Sequence, residues 1–382
     1  MPHFSVAEYD QRVTGTRRAM AAAGVDALLL FKPESHYWLT GYDTFGYCFF
    51  QCLVLTADGR MTLLTRSADL RQARQTSTIE DIRVWVDRDG ADPVAELRTL
   101  LAELNLGGCR LGVEWRSHGL VAADGMALQA ALDGFARTED ASLLVSRLRL
   151  VKSPAELDAV REAGRLGDRA FAAALETAAP GVDEGVVLAA MHDAIFAAGG
   201  DYPGNPFIIG SGSDALLCRY KSGRRRLTAD DQLTLEWAGV WRHYHAASMR
   251  TVVIGRARPR HLELFAAARE SLLACEALLA PGRTFGDVFA GHGGTLDRHG
   301  LGAHRLNACG YSLGAVFAPS WMDWPMVYAH NPVVIEPGMV IFLHMILADS
   351  ETETAMTLGR TSIIGETGPE SVSAVPLEFV TL

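Results

Sequence analysis

The first part of the chain alternates between short apolar runs, which are typical of buried strands, and amphipathic segments, which are typical of helices. The segment Ala7–Ala23 predicts a helix, and the run Ala27–Phe31 predicts a buried strand. Residues 52–56 and 61–65 predict the two strands of a hairpin, because an Asp-Gly turn stands between them. This alternation predicts an α/β domain over residues 1–147.

A second segment begins at a clear helix start. The sequence Ser153-Pro154-Ala155-Glu156 combines an N-cap serine, a proline at the first helical position and a glutamate three residues after the cap. Beyond this helix, Ala179-Pro180-Gly181 and Ala280-Pro281-Gly282 each follow one helix, precede another and lead to strand-like runs. This repeat predicts that residues 148–382 form two α+β halves with pseudo-twofold symmetry and a site between them.

Composition narrows the classes of partner. The chain has 382 residues, of which 49% are apolar and 21% charged, and its formal net charge is −10. An acidic protein of this kind is a poor binder of nucleic acid or of an anionic membrane, so neither is expected as a partner. The apolar runs are too short for a membrane span, and the first residues lack a basic segment followed by an apolar one. A cytoplasmic location is therefore expected.

The six cysteines are scattered, and Cys48 and Cys52 lack the second pair that would complete a zinc site. Buried, reduced thiols are the expected state. A catalytic cysteine stays open as an alternative, with Cys309 as its candidate.

Two apolar runs around Trp241-Arg242-His243 predict an antiparallel strand pair that carries Glu236. With the turn near residues 240–242, Glu236 is expected to face Ala247. Side chains of a strand alternate between its faces, so the face of Glu236 would also carry His245 and Met249. A one-residue bulge would bring Tyr244 to this face instead.

Glu236 and His344 are the candidates for chemistry on apolar strands. A carboxylate between Leu235 and Trp237 is costly to bury without a partner, so Glu236 is either functional or paired with an arginine such as Arg250. His344 lies within an apolar strand and is either a core histidine or a site residue. Glycines close to Tyr311 permit a close approach of backbone to ligand, or a tight bend.

Several motifs together resemble the superfamily of methionine aminopeptidase, prolidase and creatinase, which has the pita-bread fold. They are Tyr37-Trp38-Leu39-Thr40-Gly41, the helix start at Ser153 with Lys152 before it, and Glu336-Pro337-Gly338-Met339. The resemblance covers nearly the whole chain. It implies an α+β pita-bread catalytic domain over residues 148–382, a smaller creatinase-type N-terminal α/β domain over residues 1–147, and a homodimer.

The metal ligands of the peptidases in this superfamily are not retained. Their Asp, Asp, His, Glu and Glu fall, by resemblance, on Glu236, Ala247, Tyr311, His344 and near Gly359. Only Glu236 and His344 could still bind a metal, whereas a two-metal site needs four or five such ligands. We therefore expect no metal and no other cofactor.

Creatinase and ectoine hydrolase resemble this pattern because they too lack the metals, and they hydrolyse C–N bonds of small nitrogenous solutes. Creatinase fits less well, since its catalytic histidine falls on Arg219. Ectoine hydrolase shares the Tyr244-His245 pair and the form of Gly310–Gly314. Aromatic residues could wall a cationic or zwitterionic substrate or could be structural: Trp321, Trp324 and Phe49-Phe50.

The sequence thus predicts a metal-independent hydrolase of a C–N bond. In this hypothesis Glu236 attacks the electrophilic carbon or activates a water, and His344 or His245 transfers a proton. The expected binding groups are Tyr311 and Tyr244 as hydrogen-bond donors and Arg219 as a partner for a substrate carboxylate. The alternatives are an Xaa-Pro metallopeptidase, a lyase acting on an onium compound, and a solute-binding protein without activity.

Overall fold

The computed structural model describes residues 2–219 and 224–382, and the chain forms two compact units, Met1–Arg149 and Leu150–Leu382. The first unit is a mixed sheet with helices. Its strands follow the spatial order β4-β3-β2-β1-β5-β6, and β2 runs antiparallel to both of its neighbours. The strands are β1 (Ala27–Leu30), β2 (Cys52–Thr56), β3 (Met61–Arg66), β4 (Asp81–Trp85), β5 (Arg110–Val113) and β6 (Arg137–Asp140).

Six helices accompany this sheet in the described part of the first unit: α1 (Val6–Ala23), α2 (Pro33–Thr40), α3 (Leu70–Thr76), α4 (Pro93–Glu103), α5 (Ala122–Leu132) and α6 (Leu144–Leu148). The predicted first helix ends where Gly24 adopts a left-handed backbone with φ 67°. The predicted hairpin is formed by β2 and β3. Apolar side chains of the central strands pack into two clusters, so this sheet is buried on both faces.

The second unit is built on a mostly antiparallel sheet. Its strands follow the order β11-β10-β12-β13-β9-β8-β7, with β14 beside β13 and β15 beside β9. They are β7 (Ile208–Ser211), β8 (Asp231–Trp241), β9 (Tyr244–Ile254), β10 (Ala308–Ser312), β11 (Asp323–Tyr328), β12 (Val340–Asp349), β13 (Thr354–Ile364), β14 (Pro369–Ser371) and β15 (Val380–Thr381).

The predicted repeat is visible as two helix pairs. They are α7 (Pro154–Thr177) with α8 (Glu184–Phe196), and α9 (Pro259–Leu278) with α10 (Phe285–Arg298). The turn before the second helix of each pair uses Gly181 or Gly282, and both glycines have φ 85°. Each pair precedes a long hairpin, β8–β9 or β12–β13, and β9 joins β13 at the centre of the sheet.

Helix α7 starts as predicted. The Ser153 hydroxyl accepts from the Glu156 N–H, and the Glu156 carboxylate accepts from the Ser153 N–H. Helices α7 and α9 cover one face of the sheet: the Trp237 indole donates to the Gly167 carbonyl on α7, and Arg360 pairs with Glu276 on α9. The opposite face carries the candidate site. Across the described residues, no helix is both long and apolar enough to cross a bilayer.

Candidate active site

Four residues of the open face lie in one row across the central strands of the sheet. Glu236 on β8 is opposite Met249 on β9, Met249 is opposite Gly359 on β13, and Gly359 is opposite His344 on β12. Residues in register on neighbouring strands project to the same side of the sheet. The two halves of the repeat therefore bring Glu236 and His344 to one surface.

The observed register of the hairpin that carries Glu236 differs from the predicted one. Its turn consists of Arg242 and His243, whose φ angles are 51° and 63°, and Glu236 lies opposite Met249 rather than Ala247. A two-residue turn of this hand joins twisted antiparallel strands with little distortion. The shift amounts to two residues, so the predicted face is retained.

Glu236 is 8% exposed, and its environment favours the neutral carboxyl group. Burial raises the pKa of Glu236 to about 7, although a hydrogen bond from Tyr311 and the charge of Arg219 act in the opposite direction. The alternative pairing with Arg250 is wrong, because that guanidinium lies on the helix-covered face and donates to the Met249 and Gly359 carbonyls. Glu236 is therefore a buried carboxyl group that can exchange a proton near neutral pH.

Tyr311 connects Glu236 to the aromatic part of the site. Its hydroxyl donates to Glu236 Oε1 over 3.2 Å and accepts from the Trp321 indole N–H over 2.8 Å. The Trp321 side chain is 1% exposed, so it holds Tyr311 in place more than it lines an open pocket. The structure brings these three side chains together, and their roles stay predictions.

His344 is on the other side of Tyr311. The two ring centroids are 5.7 Å apart, and Phe342 packs against both rings. Burial lowers the pKa of His344 to about 3, with His292 and Arg219 acting in the same direction, so the imidazole is neutral at physiological pH. Its Nδ1 has no hydrogen-bond partner among the described residues. This nitrogen is buried away from solvent.

His245 does not fit the predicted role in proton transfer. Its Nδ1 is 2.7 Å from the His243 carbonyl, and its Nε2 accepts from the Gly204 N–H over 2.8 Å. Both nitrogens of a neutral ring are thus engaged by backbone groups. Burial also lowers the pKa of His245 to about 3. The ring instead fixes the loop next to Trp321, with ring centroids 6.2 Å apart.

Tyr244, Trp324 and Phe50 lie away from Glu236 or are buried elsewhere. Tyr244 points to the helix-covered face, where its hydroxyl donates to Glu156 over 2.5 Å. Trp324 packs against the apolar core beneath the helices α9 and α10. Phe50 belongs to the first unit, is 5% exposed and packs against Phe31. Burial on the wrong face, or within a core, does not fit the predicted contacts with substrate.

Arg219 is an exposed residue whose charge acts on both Glu236 and His344. It stands just before residues 220–223, which lie outside the described residues. A cation there fits the predicted partner for a carboxylate on the substrate.

Two groups of residues around the site are not predicted from the sequence. Gly204 and Asn205 belong to a loop that holds the site, since Asn205 Oδ1 accepts from the Trp321 backbone N–H. Phe207 stacks on His192 with ring centroids 4.3 Å apart and approaches Trp321. The only sequence signal is a Pro-Gly-Asn-Pro stretch before a strand, which predicts a turn but does not show what the turn contacts.

Comparison with known proteins agrees with this architecture. The model of metallopeptidase family M24 matches residues 158–366, and the model of the creatinase/prolidase N-terminal domain matches residues 12–151. The chain belongs to metallopeptidase family M24. This M24 protein therefore has the pita-bread fold and belongs to a family of hydrolases.

Individual relatives of the M24 protein carry different names. It is 30% identical to the uncharacterized hydrolase/peptidase y4tM of Sinorhizobium fredii, over 99% of this chain and 98% of the relative. It is 26% identical to ectoine hydrolase of Halomonas elongata, over 98% of both chains. The solved structure of an Xaa-Pro dipeptidase from Bacillus anthracis superimposes with a TM-score of 0.85 at 20% identity, covering 98% of this chain and 100% of that one, which shows the fold alone.

The residues present do not fit the two metal ions of the family's peptidases. Ala247 offers no donor, and a Cβ added to Gly359 would lie 2.7 Å from the Leu343 carbonyl oxygen and 3.0 Å from the Phe342 ring. Tyr311 stands where the peptidases have their metal-binding histidine, and its hydroxyl already forms hydrogen bonds with Trp321 and Glu236. Three of the five ligand positions thus offer no free metal-binding atom.

Proposed function

We propose that this M24 protein is a metal-independent hydrolase of a C–N bond in a small nitrogenous solute. The observation that carries the proposal is the Glu236 carboxyl group, which is buried, has a pKa of about 7 and is held by Tyr311 on the face where the peptidases bind metal. A group of this pKa is well suited to take up and return a proton at neutral pH. The ectoine hydrolase relationship over nearly the whole chain supports this class of substrate.

In the proposed reaction, ionised Glu236 removes a proton from a water molecule, whose oxygen adds to the electrophilic carbon of the substrate. The carbon–nitrogen bond then breaks, and the carboxyl group of Glu236 returns the proton to the departing nitrogen. Tyr311 holds the carboxylate, and Arg219 binds a carboxylate of the substrate. Neutral His344 orients the substrate through Nδ1, which leaves Glu236 to carry the proton in both steps.

The test is to treat the purified protein with a chelator and then to offer ectoine, creatine and an Xaa-Pro dipeptide, with products identified by mass. We expect C–N hydrolysis of a small solute that survives the chelator. Glu236→Gln should lower the rate by about 10²–10⁴-fold. Glu184→Gln is the matched control. Glu184 is also buried, but its carboxylate accepts a hydrogen bond from Ser211, the last residue of β7.

Three outcomes contradict the proposal. Chelator-sensitive cleavage of the Xaa-Pro dipeptide would indicate a metallopeptidase. A product formed without the addition of water would indicate a lyase. Solute binding measured by calorimetry, with no product from any of these compounds, would indicate a binding protein.

A further inference from the structure

A second cluster of reactive side chains lies on the helix-covered side of the sheet. Cys275 comes from α9, His292 from α10 and Cys309 from β10, and all three residues are buried. One sulfur or nitrogen atom from each lies within 4.8 Å of the others. In the described part of the chain, no other group of three or more His, Cys, Asp or Glu side chains comes together in this way.

The two ring nitrogens of the histidine in this cluster differ in their hydrogen bonding. Nδ1 of His292 lies 3.2 Å from the Ser271 hydroxyl oxygen and 3.2 Å from Met345 Sδ. Nε2 is buried and makes no hydrogen bond of regular geometry among the described residues, although the Leu306 backbone acts on the ring as a weak hydrogen-bond partner. A buried ring nitrogen without a partner is unfavourable, so it calls for an explanation. A hydrogen bond that orients one ring nitrogen is the usual support for a metal bound at the other.

We propose that Cys275, His292 and Cys309 bind a thiophilic d¹⁰ metal ion, Zn²⁺ or Cu⁺. Two thiolates and an imidazole are the soft donors that both ions prefer. The site is distinct from the proposed active site, because the side chains of Glu236 and His344 lie on the other face of the sheet. Binding converts both thiols to thiolates and releases two protons to solvent.

The geometry requires only a small contraction. In a tetrahedral zinc site, metal–ligand distances of about 2.0–2.3 Å place the donor atoms about 3.5–3.8 Å apart. The observed limit of 4.8 Å is about 1 Å wider. Each residue comes from a different element. Leu272 and Val288 belong to the same apolar core, and the positive charge of Arg305 acts on both His292 and Cys309. A bound ion would therefore link both helices to the strand that ends at Tyr311 and Ser312.

Two simpler explanations leave the same atom unexplained. The three side chains could pack as ordinary core residues, with Cys275 in a weak contact of 3.5 Å to the Val288 carbonyl. Alternatively, Cys275 and Cys309 could form a disulfide. In either case Nε2 of His292 would still make no regular hydrogen bond, whereas a metal ion bound to this nitrogen would satisfy it together with both sulfur atoms.

The experiment uses the full chain, purified without chelator from cells supplied with zinc or with copper. We expect close to one ion per chain by metal analysis, and the ion that is retained distinguishes Zn²⁺ from Cu⁺. Zinc-loaded protein exchanged with Co²⁺ should show sulfur-to-cobalt charge-transfer bands, which report thiolate ligands directly. The Cys275→Ser/Cys309→Ser double variant should lose the ion, and Cys52→Ser, which changes a buried cysteine of the first unit, should retain it.

Several results would overturn the site. They are failure of the wild-type protein to retain or take up either ion, binding without a thiolate signature, and equal loss of metal in Cys52→Ser. Loss of the ion in Glu236→Gln would place it at the other face of the sheet instead. If the double variant does not fold, the wild-type cobalt spectrum still decides, because it needs no variant.

Discussion

The Tyr311 hydroxyl donates to Glu236 over 3.2 Å while the Trp321 indole N–H donates to the same hydroxyl oxygen over 2.8 Å. This chain of two hydrogen bonds fixes the direction in which the phenol points its proton. A buried carboxylate is stabilised by a donor that is itself held by a second donor. The pKa of Glu236 therefore depends on Tyr311 and, through it, on Trp321.

Tyr311→Phe should raise the pKa of Glu236 by about one unit or more. Hydrogen bonds to a charged group contribute about 1.5–3 kcal/mol, and one pKa unit corresponds to about 1.4 kcal/mol. Infrared titration of the carboxyl band, or the acidic limb of the rate profile, measures the shift. Tyr244→Phe is the control, because that hydroxyl lies on the other face of the sheet and binds Glu156. Equal pKa values in the two variants would contradict the hydrogen bond.

Glu236→Gln should stabilise the protein at pH 8 and have little effect at pH 4. The folded-state pKa of about 7 is above the ordinary value of 4.5, so folding favours the protonated carboxyl group. That contribution is full below pH 4.5 and is lost as the pH rises through 7. Glu236→Gln avoids the loss, which is worth about 3 kcal/mol for a shift of this size. Urea unfolding at both pH values measures it, and an effect independent of pH would contradict the raised pKa.

The sequence predicts the face of Glu236 correctly although its predicted partner is wrong. Strand side chains repeat every two residues, so an error of two in the turn leaves the face unchanged. An error of one residue in the position of the turn would have placed Tyr244, rather than His245, on the face of Glu236. The paired helices are also predictable, because capping residues and Pro-Gly turns act locally.

The roles of His245 and Trp321 depend instead on loops. The Gly204 N–H occupies His245, and Asn205 holds the backbone of Trp321. Nothing local in the sequence shows that a loop 41 residues away in the chain meets His245. For the same reason the Cys275, His292 and Cys309 cluster is hidden: its members are brought together by packing of α9, α10 and β10, not by a spacing motif.

Arg242→Asn should raise the free energy of unfolding by about 0.5–1 kcal/mol. Arg242 has φ 51° in the two-residue turn, and asparagine adopts this left-handed backbone at lower cost. Arg242→Val should do the opposite, because a β-branched side chain is strained at positive φ. Chemical denaturation of both variants measures the difference. If valine were tolerated as well as asparagine, the turn would not be where the structure places it.

His344→Leu should abolish activity while leaving stability at pH 7 unchanged or increased. The variant removes a buried Nδ1 that has no partner among residues 2–219 and 224–382, so no hydrogen bond seen there is lost at that atom. His36→Leu is the contrasting control, since Nε2 of this buried histidine bonds to the Leu30 carbonyl over 2.8 Å and its removal should destabilise.

The free energy of unfolding at acidic pH gives a second measurement on His344→Leu. The folded-state pKa of His344 is about 3, below the ordinary 6.5, so folding favours the neutral ring. That contribution is full above pH 6.5 and is lost as the pH falls toward 3. His344→Leu should therefore lose less stability than the wild-type protein between pH 6.5 and pH 4. Parallel unfolding curves over this range, or retained turnover, would remove His344 from the proposed site.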